Sequence, residues 1–388
     1  MKKILIIHNS YRLSGGEDIS VNNELNLLDK HFDVRYINIS NHEIKIFDLI
    51  SIFILNINLR IIFKIKKEVK DFTPDLIYVH NTWFLVTPYL LKYFSKRGYK
   101  VATKLHNFRY HCSSQFLISK HLNNNLFCKA CGLNKSNILK FNKYFKESYI
   151  KSFLLFRQSK KLIKYIKHEK NLSLFVLTSF HRDFLENSLD VDEDRIFTVP
   201  NYMDNLKHDQ NSIKSNEITY AGRISYEKGV ENLIKAFSQV KNLESKLNII
   251  GNGPQYERLK NMYSSKKILF LGELSNEDTL NVISRSYLVA TGTKMLEGQP
   301  TLLCEAVYLK IPILFPLSGG IGEFFSKENN LSYMIYEKDE ETIEEMALKI
   351  QYAFENNLED LITSNLYHLN KIINKENILS TFTHVINE

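Results

Sequence analysis

Short apolar runs alternate along this chain with longer segments of helical periodicity, and this alternation is the pattern that most constrains its fold. Runs that are continuously apolar, as at residues 4–7, are typical of parallel strands buried on both faces. Strands separated by helices form βαβ units, which assemble into doubly wound sheets. The runs lie at residues 4–7, 34–38, 76–80, 101–105 and 174–177, and again at 218–221, 247–250, 268–271, 287–290 and 311–315. The sequence therefore predicts an α/β fold.

The two series of strands are separated by a polar segment around residues 199–216 that contains Pro200. Polar segments that contain proline are typical of domain boundaries. At 388 residues the chain is long enough for two domains of ordinary size. We therefore expect two Rossmann-like domains, over residues 1–198 and 199–370, that face each other across a central cleft.

Basic residues are concentrated in the N-terminal half, where residues 51–170 contain 24 Lys or Arg and 5 Asp or Glu. Residues 50–70 and 141–167 read as basic amphipathic helices, which suit the anionic face of a membrane. For residues 50–70, a core helix with a solvated lysine face is an equally good interpretation. A nucleic-acid partner is not expected, because no recognised nucleic-acid-binding module is present.

The cysteines and the start of the chain bear on where the protein works. Neither a signal peptide nor an apolar run of membrane-spanning length is predicted, and four cysteines do not make a disulfide scaffold. A cytoplasmic location, peripheral to the inner face of the cell membrane, is therefore expected. Cys112, Cys128 and Cys131 lie near several histidines, which is the composition of a zinc site but not the spacing of a standard finger. A structural zinc and a metal-free loop beside the cleft both stay open.

The stretch from Thr293 to Ala306 predicts a helix start that binds an anion. Pro300 suits the first turn of a helix, and Glu297 precedes it on a loop. Free N–H groups and the helix dipole attract anions to such a start. Thr301 and Glu305 lie four residues apart and share one helix face. A nucleotide sugar, with hydroxyl groups on both sides of its phosphates, fits this pattern, although a capped surface helix has the same spacing.

Two cations, Arg223 and Lys228, follow a strand end of the second series and lie five residues apart. Such a pair can neutralise a diphosphate and stabilise the charge that develops as it leaves. Two solvated surface cations are the simpler alternative. Gly15-Gly16 follows the first strand, where glycine lets backbone N–H groups approach a phosphate. His106 likewise follows a strand, so it is expected on a cleft wall.

Taken in order along nearly the whole chain, these motifs resemble those of the retaining family 4 glycosyltransferases, which have the GT-B fold. The matching segments are Gly15-Gly16, Val199-Pro200-Asn201, Gly222-Arg223, Glu227-Lys228-Gly229, Gly251-Asn252-Gly253-Pro254, Phe270-Leu271-Gly272, Glu297-Gly298-Gln299-Pro300 and Glu305-Ala306. Each segment is unspecific by itself, whereas the ordered set is specific. The resemblance also implies a final helix over residues 371–388 that crosses back to the N-terminal domain.

The resemblance implies a role for each matching residue. Catalytic roles are implied for Arg223, Lys228, Glu297 and His106. Donor-binding roles are implied for Gly15, Gly16, Leu271, Gly298, Gln299, Pro300, Thr301 and Glu305. In this scheme Glu305 binds the ribose, Glu297 binds the transferred sugar, and the cations bind the diphosphate. Lys294 and Gln299 depart from the residues that the family usually has near the sugar.

The implied activity is that of a retaining hexosyltransferase that uses a UDP-sugar or GDP-sugar and requires no metal or other cofactor. Its acceptor would be a saccharide or a lipid-linked molecule at the anionic inner membrane surface, as in the synthesis of bacterial capsule, lipopolysaccharide O-antigen or exopolysaccharide. A non-catalytic GT-B-like subunit that binds a sugar or scaffolds a partner is the alternative. A sugar-nucleotide epimerase shares the fold but not this pattern of glutamates.

Overall fold

The computed structural model describes residues 1–10, 16–108, 110–111, 148–203, 215–240, 244–336 and 338–388. The strands in these ranges are β1 (Lys3–Ser10), β2 (Asp33–Ser40), β3 (Leu76–Val79), β4 (Val101–Leu105), β5 (Leu172–Val176), β6 (Ile196–Thr198), β7 (Glu217–Ala221), β8 (Lys246–Ile250), β9 (Ile268–Gly272), β10 (Leu288–Ala290), β11 (Ile313–Pro316) and β12 (Ser332–Tyr333). The α-helices are Gly16–Leu28, Ile46–Leu55, Leu59–Phe72, Tyr89–Ser95, Tyr149–His168, Ser179–Leu189, Val230–Gln239, Tyr256–Tyr263, Asn276–Arg285, Thr301–Tyr308, Asp339–Glu355, Glu359–Ile372 and Lys375–Asn387. Helices separate most successive strands, as the alternation of apolar runs predicts.

The described residues divide into two compact units, one made of 1–111, 148–203 and 373–388 and the other of 215–372. The first unit contains a six-stranded sheet in the order β2-β1-β3-β4-β5-β6, and every neighbouring pair is parallel. Its central strands are apolar because both of their faces are covered; Ile4 to Ile7, for example, are fully buried. The strand order reverses between β1 and β3, which is where doubly wound sheets bind ligands.

Helix Lys375–Asn387 completes the core of the first unit, although it follows the second unit in the sequence. Asn374 caps its start by accepting a hydrogen bond from the Asn377 amide at 3.0 Å. The fully buried ring of Phe382 packs against the rings of Tyr78 and Phe175, with both centroid distances at 5.1 Å. The helix is thus an integral part of the first unit's core.

The second unit contains another six-stranded sheet, in the order β12-β11-β10-β7-β8-β9, whose neighbouring pairs are also parallel. Its order reverses between β7 and β10. The loops that follow these two neighbouring strands therefore start at one edge of the sheet and run to opposite sides. Two parallel sheets flanked by helices confirm the predicted α/β class with two Rossmann-like domains.

The two stretches interpreted as amphipathic helices differ in what the structure describes. Residues 50–70 span two helices, Ile46–Leu55 and Leu59–Phe72, and the second of these buries Ile61, Ile62 and Ile65. The later stretch is described only from Ser148 onward, and its helix Tyr149–His168 buries Leu154, Leu155 and Phe156. Both longer helices are core helices with basic outer faces. Among the described residues no single helix is long and apolar enough to cross a membrane; Ile46–Leu55 and Leu59–Phe72 reach that length only together, across a 97° bend.

Candidate functional site

The residues predicted to handle a diphosphate lie at the point where the second sheet reverses its strand order. Arg223 and Lys228 lie on the loop after β7, and Glu297 lies on the loop after β10. Because β7 and β10 are parallel neighbours, their carboxyl ends place both loops at one edge of the sheet. The fold therefore brings together three residues that are up to 74 positions apart in the sequence.

Two glycines allow these loops to touch backbone to backbone. Gly229 has a left-handed φ of +63°, and a Cβ placed on it would lie 1.7 Å from the carbonyl oxygen of Gly292. A Cβ on Gly292 would in turn lie 2.3 Å from the carbonyl oxygen of Gly229. The Lys294 amide also donates a hydrogen bond to the Glu227 carbonyl at 2.9 Å. No larger residue fits at either glycine, so the close approach depends on both.

This contact sets the geometry of the Lys228–Glu297 ion pair. Lys228 Nζ lies 2.5 Å from Glu297 Oε1, and the same oxygen accepts a hydrogen bond from Thr293 Oγ1 at 3.0 Å. The Glu297 carbonyl accepts from the Gly320 amide at 2.9 Å, which ties this loop to the turn after β11. The two side chains are 31% and 20% exposed, so a polar ligand can still reach them.

Helix Thr301–Tyr308 begins directly after Pro300, as the sequence predicts. Pro300 provides no side-chain cap, so the first amides of the helix keep their capacity to bind a ligand oxygen. Glu305 lies one turn further on and is half-buried, and its carboxylate has no ion-pair partner within the described ranges. Burial raises the pKa of Glu305 to about 7, from an ordinary value of 4.5.

The two departures from the family pattern have local structural roles. Lys294 Nζ forms an ion pair with Asp339 at 2.6 Å and lies 4.7 Å from the centre of the Tyr226 ring. Gln299 is buried, and its side chain is hydrogen-bonded to the thiol of Cys304. Lys294 thus braces its loop against helix Asp339–Glu355.

Arg223 and Leu271 lie at the edge of this group of loops. Arg223 is exposed, and no ion-pair partner for its guanidinium is found in the part of the chain that is described. Leu271 is 38% exposed near the end of β9. Glycine contacts connect these loops as well: the Gly251 amide donates to the Gly272 carbonyl at 2.7 Å, and a Cβ on Gly251 would lie 2.0 Å from the Gly222 carbonyl oxygen. Neighbouring strand ends therefore present both residues at the same sheet edge.

In the first unit, histidines gather where the strand order reverses. His8 lies near the end of β1, and its Nε2 is 2.8 Å from Asp18 Oδ1. His80 and His106 follow β3 and β4, and the His80 Nδ1 lies 3.1 Å from the His106 Nε2. Burial and the nearby His106, Lys104 and His8 hold the pKa of His80 well below its usual value, and burial with Lys104 and His8 does the same for the pKa of His106. Both rings are therefore neutral at pH 7.

An open cavity lies beside these histidines, and the residues that line it all belong to the first unit. Its lining comes from the carboxyl ends of β3 and β4 and from helices Gly16–Leu28 and Tyr149–His168. The lining residues are Glu17, His80, Asn81, Thr82, Trp83, Pro88, Thr103, Lys104, Leu105, His106, Asn107, Tyr110, Leu155, Gln158, Ser159 and Leu162. The mixture of amide, hydroxyl, imidazole and aromatic groups suits a hydroxyl-rich ligand.

A buried charged pair beneath this cavity was not predicted from the sequence. Lys104 Nζ lies 2.8 Å from Glu24 Oε2, and Tyr78 donates a hydrogen bond to Glu24 Oε1 at 3.0 Å. Both charged side chains are essentially inaccessible to solvent. The sequence feature that points to this pair is Lys104 itself, a lysine within an otherwise mostly apolar strand run. A charged residue buried in a strand requires a partner of opposite charge.

Several predicted residues lie outside the described residues. Gly15 is among them, while Gly16 begins helix Gly16–Leu28. Cys112, Cys128 and Cys131 also lie outside, so the question of a structural zinc there stays a prediction. Among the residues that the structure does describe, no cluster of three or more potential metal ligands is found. Cys304 is a buried free cysteine on helix Thr301–Tyr308.

Parts of the sequence are similar to those of known proteins. Residues 204–366 match the family model described as Glycosyl transferases group 1. This segment, which is less than half of the chain, is similar to a group 1 glycosyltransferase domain. The group 1 domain contains Arg223, Lys228, Glu297 and Glu305. A putative teichuronic acid biosynthesis glycosyltransferase of Bacillus subtilis is 29% identical over 116 residues, which are 29% of this chain. The match spans 27% of that relative, or about a quarter of its length.

Solved structures resemble both units, including the one outside the group 1 domain. A sucrose-phosphate synthase from Thermosynechococcus elongatus has a TM-score of 0.68 at 12% identity, covering 100% of this chain and 98% of that one. The Anabaena protein HepE, solved in complex with UDP, has a TM-score of 0.65 at 15% identity and covers 100% of both chains. At these identities the likeness concerns the fold, and the predicted GT-B class with two Rossmann-like domains is confirmed.

Proposed function

We propose that this protein is a retaining glycosyltransferase of family 4 that moves a hexose-type sugar from a nucleotide-diphosphate sugar to a saccharide or lipid-linked acceptor. The observation that carries the proposal is the group formed by Arg223, Lys228, Glu297 and Glu305 at one edge of the second sheet. It combines two cations for a diphosphate with two carboxylates for hydroxyl groups, at the position where doubly wound sheets bind ligands.

The arrangement suggests a division of roles along the donor. The amides at the start of helix Thr301–Tyr308 and the two cations would bind the diphosphate. The Glu305 carboxylate would accept hydrogen bonds from ribose hydroxyls, and Glu297 would accept them from the transferred sugar. Lys228 already pairs with Glu297, so a bound diphosphate would share this ammonium group. Leu271 would contribute apolar surface beside the base.

The proposed reaction breaks the bond between the sugar C1 and the diphosphate oxygen and forms a bond from C1 to an acceptor oxygen on the same face. The departing phosphate oxygen takes the acceptor's proton, so the residues supply electrostatic stabilisation rather than a general base. Arg223 and Lys228 would stabilise the negative charge that grows on the leaving diphosphate. His106, whose low pKa keeps it neutral, would act as a hydrogen-bonding group near the sugar.

The comparisons support the substrate class at a coarser level. The solved complexes of Anabaena HepE contain UDP or UDP-glucose, which favours a nucleotide-sugar donor of the UDP or GDP type. The name of the Bacillus relative refers to teichuronic acid biosynthesis, which favours a role in bacterial surface polysaccharide assembly. The cavity of the first unit is our candidate for the acceptor site, and a lipid-linked acceptor would place the enzyme at the inner face of the cell membrane.

The test is a donor screen followed by transfer assays with variants. We expect one UDP-sugar or GDP-sugar to raise the melting temperature, because a ligand that binds the native state stabilises it. With that donor and a membrane extract as acceptor, Arg223→Ala and Lys228→Ala should each lower kcat by about 10²- to 10³-fold. Lys235→Ala, which removes an exposed cation of the same unit, is the matched control and should retain full activity.

Two results would contradict the proposal. If no nucleotide sugar is bound, hydrolysed or transferred, the enzyme hypothesis fails. If a sugar is bound but Arg223→Ala and Glu305→Ala leave cellular polysaccharide synthesis unchanged, a non-catalytic sugar-binding or scaffold subunit is the better explanation.

A further inference from the structure

Helix Ile46–Leu55 is inverted with respect to ordinary surface helices, since its two polar residues face inward and all of its apolar residues except Ile52 face solvent. Its buried residues are Asp48, Ser51 and Ile52. The exposed apolar face consists of Ile46, Phe47, Leu49, Ile50, Phe53, Ile54 and Leu55, each between 43% and 78% exposed. Single exposed apolar residues are ordinary, but seven on one ten-residue helix mark a contact surface.

The polar contacts of this helix hold it in the inverted orientation. Arg60 donates to the fully buried Asp48 carboxylate through Nε at 2.9 Å and Nη2 at 2.6 Å. The Lys45 amide donates to the same carboxylate at 2.9 Å. These bonds fix the inner side of the helix, so the exposed apolar face is a built feature of the first unit.

The carboxyl end of the helix is supplied with hydrogen-bond donors by helix Tyr149–His168. Arg157 donates to the Phe53 carbonyl, and Lys161 Nζ donates to the Leu55 carbonyl at 3.3 Å. Carbonyl groups at helix ends ordinarily depend on water. Because these two have side-chain partners, this end of the helix can enter an environment poor in water at a lower cost.

The flanking helices are strongly basic. Helix Tyr149–His168 carries six Lys or Arg and no Asp or Glu, and helix Leu59–Phe72 carries five Lys or Arg against two acidic residues. Burial and the neighbouring cations Arg157, Lys92 and Lys164 lower the pKa of Lys161. An anionic partner would relieve this crowding of positive charge, whereas a second copy of the same surface would add to it.

The dimensions favour a helix that lies in the membrane interface. Ten residues of α-helix are about 15 Å long, roughly half the thickness of a bilayer's hydrocarbon core. The next helix, Leu59–Phe72, cannot extend the span because it buries Ile61, Ile62 and Ile65 in the core of the first unit. An apolar face beside basic helices is the pattern of a segment inserted at the headgroup boundary.

We infer that the exposed apolar face of helix Ile46–Leu55 inserts into the interface of an anionic bilayer, with the basic helices Leu59–Phe72 and Tyr149–His168 contacting lipid phosphates. This surface lies in the first unit, outside the group 1 domain. The inference therefore stands independently of the proposed transfer reaction, and membrane binding and donor binding can be measured separately.

The test uses the full chain with vesicles of phosphatidylcholine, either pure or mixed with phosphatidylglycerol. We expect co-sedimentation with the mixed vesicles, and weaker binding to the neutral ones or at high salt. The double variant Phe47→Ser/Phe53→Ser should weaken binding to the mixed vesicles by about tenfold or more, because both rings lose their transfer into the bilayer. Lys160→Gln/Lys164→Gln should weaken binding and reduce its salt dependence.

A matched control replaces apolar residues of similar exposure on the second unit, as in Leu348→Ser/Tyr367→Ser, and should bind vesicles like the unchanged protein. All variants should show the same circular dichroism spectrum and the same urea transition of Trp83 fluorescence as the unchanged protein, which verifies their fold without any nucleotide sugar. The inference is overturned if the unchanged protein does not bind the vesicles that contain phosphatidylglycerol. It is also overturned if Phe47→Ser/Phe53→Ser binds them as tightly as the unchanged protein does. It is also overturned if that variant instead abolishes a concentration-dependent dimer, since the face would then cover a second copy.

Discussion

Glu305 is a half-buried carboxyl group whose ionisation would make the proposed donor binding depend on pH. Its pKa of about 7 results from burial, which disfavours the charged form, and no cation among the described residues forms an ion pair with its carboxylate. A neutral carboxylic acid accepts hydrogen bonds poorly through its protonated oxygen, whereas a carboxylate accepts through both. A pair of ribose hydroxyls would therefore bind more tightly to the ionised form and would lower this pKa.

We predict that affinity for the intact nucleotide sugar rises as the pH increases from 6 to 8, and that Glu305→Gln removes this dependence. The diphosphate diester of a nucleotide sugar keeps a constant charge over this range. Any pH dependence of the affinity measured by isothermal titration calorimetry with the intact donor therefore arises from the protein. The stability of the ligand-free protein is expected to change with pH in the opposite direction. Because the folded pKa lies above the ordinary 4.5, ionisation of Glu305 lowers the stability of the ligand-free fold as the pH rises from about 4.5 through 7.

Without ligand, Glu305→Gln should accordingly match the unchanged protein in melting temperature at pH 5 and exceed it at pH 8. An affinity for the donor that is as pH-dependent in Glu305→Gln as in the unchanged protein would contradict this role.

At the scale of elements, the second unit's site depends on loops that touch through glycine backbones. Gly229 and Gly292 bring the loop after β7 against the loop after β10, and this contact precedes any interaction with a ligand. The Lys228–Glu297 pair is partly exposed, so it adds little to stability by itself. The glycines therefore determine the geometry, and the ion pair follows from it.

We predict that Gly229→Ala lowers both the melting temperature and the transfer rate, because its Cβ would lie 1.7 Å from the Gly292 carbonyl oxygen and would force the loops apart. Gly98→Ala is the matched control: Gly98 also has a positive φ, of +81°, but nothing lies within 4 Å of its Cβ. That control should cost only about 1 kcal/mol of unfolding free energy in a urea titration and leave transfer intact. Equal effects of the two substitutions would refute the close-contact argument.

Periodic and local features of the elements were predictable from the sequence, and long-range pairings were not. Apolar runs predict the parallel strands, and Pro300 predicts the start of helix Thr301–Tyr308. Lys228 and Glu297 were both identified, but their direct contact depends on which strands are neighbours, which spacing does not encode. The inversion of helix Ile46–Leu55 was missed for the same reason. Its apolar residues look like core until Arg60 is seen to hold the buried Asp48.

At the scale of the whole molecule, the first unit is built from two distant parts of the chain. Helix Lys375–Asn387 provides Ile378, Phe382, Val385 and Ile386 to a core whose other members come mainly from the first sheet. Phe382 is fully buried and contacts three other aromatic rings, those of Phe32, Tyr78 and Phe175. Loss of this one ring therefore weakens the core of a unit whose strands lie more than 175 residues earlier in the sequence.

We predict that Phe382→Ala lowers the free energy of unfolding of the first unit by about 3–5 kcal/mol, the usual cost of removing a buried aromatic ring. The chain's single tryptophan, Trp83, belongs to the first unit, so its fluorescence in a urea titration reports that unit specifically. Thr383→Ala, at an exposed position of the same helix, is the control and should change stability by less than about 0.5 kcal/mol. A Trp83 transition unchanged in Phe382→Ala would show that the helix is not part of that cooperative unit.

The position of helix Lys375–Asn387 also has a consequence during synthesis on the ribosome. All six strands of the first sheet are synthesised before the strands of the second unit, while the helix that covers Tyr78 and Phe175 is synthesised after them. At the usual elongation rates, this interval is on the order of ten seconds or more. Throughout that time the apolar residues of the first unit that this helix covers lack their native partner. The second unit, whose strands are contiguous in the sequence, can fold as soon as it has left the exit tunnel.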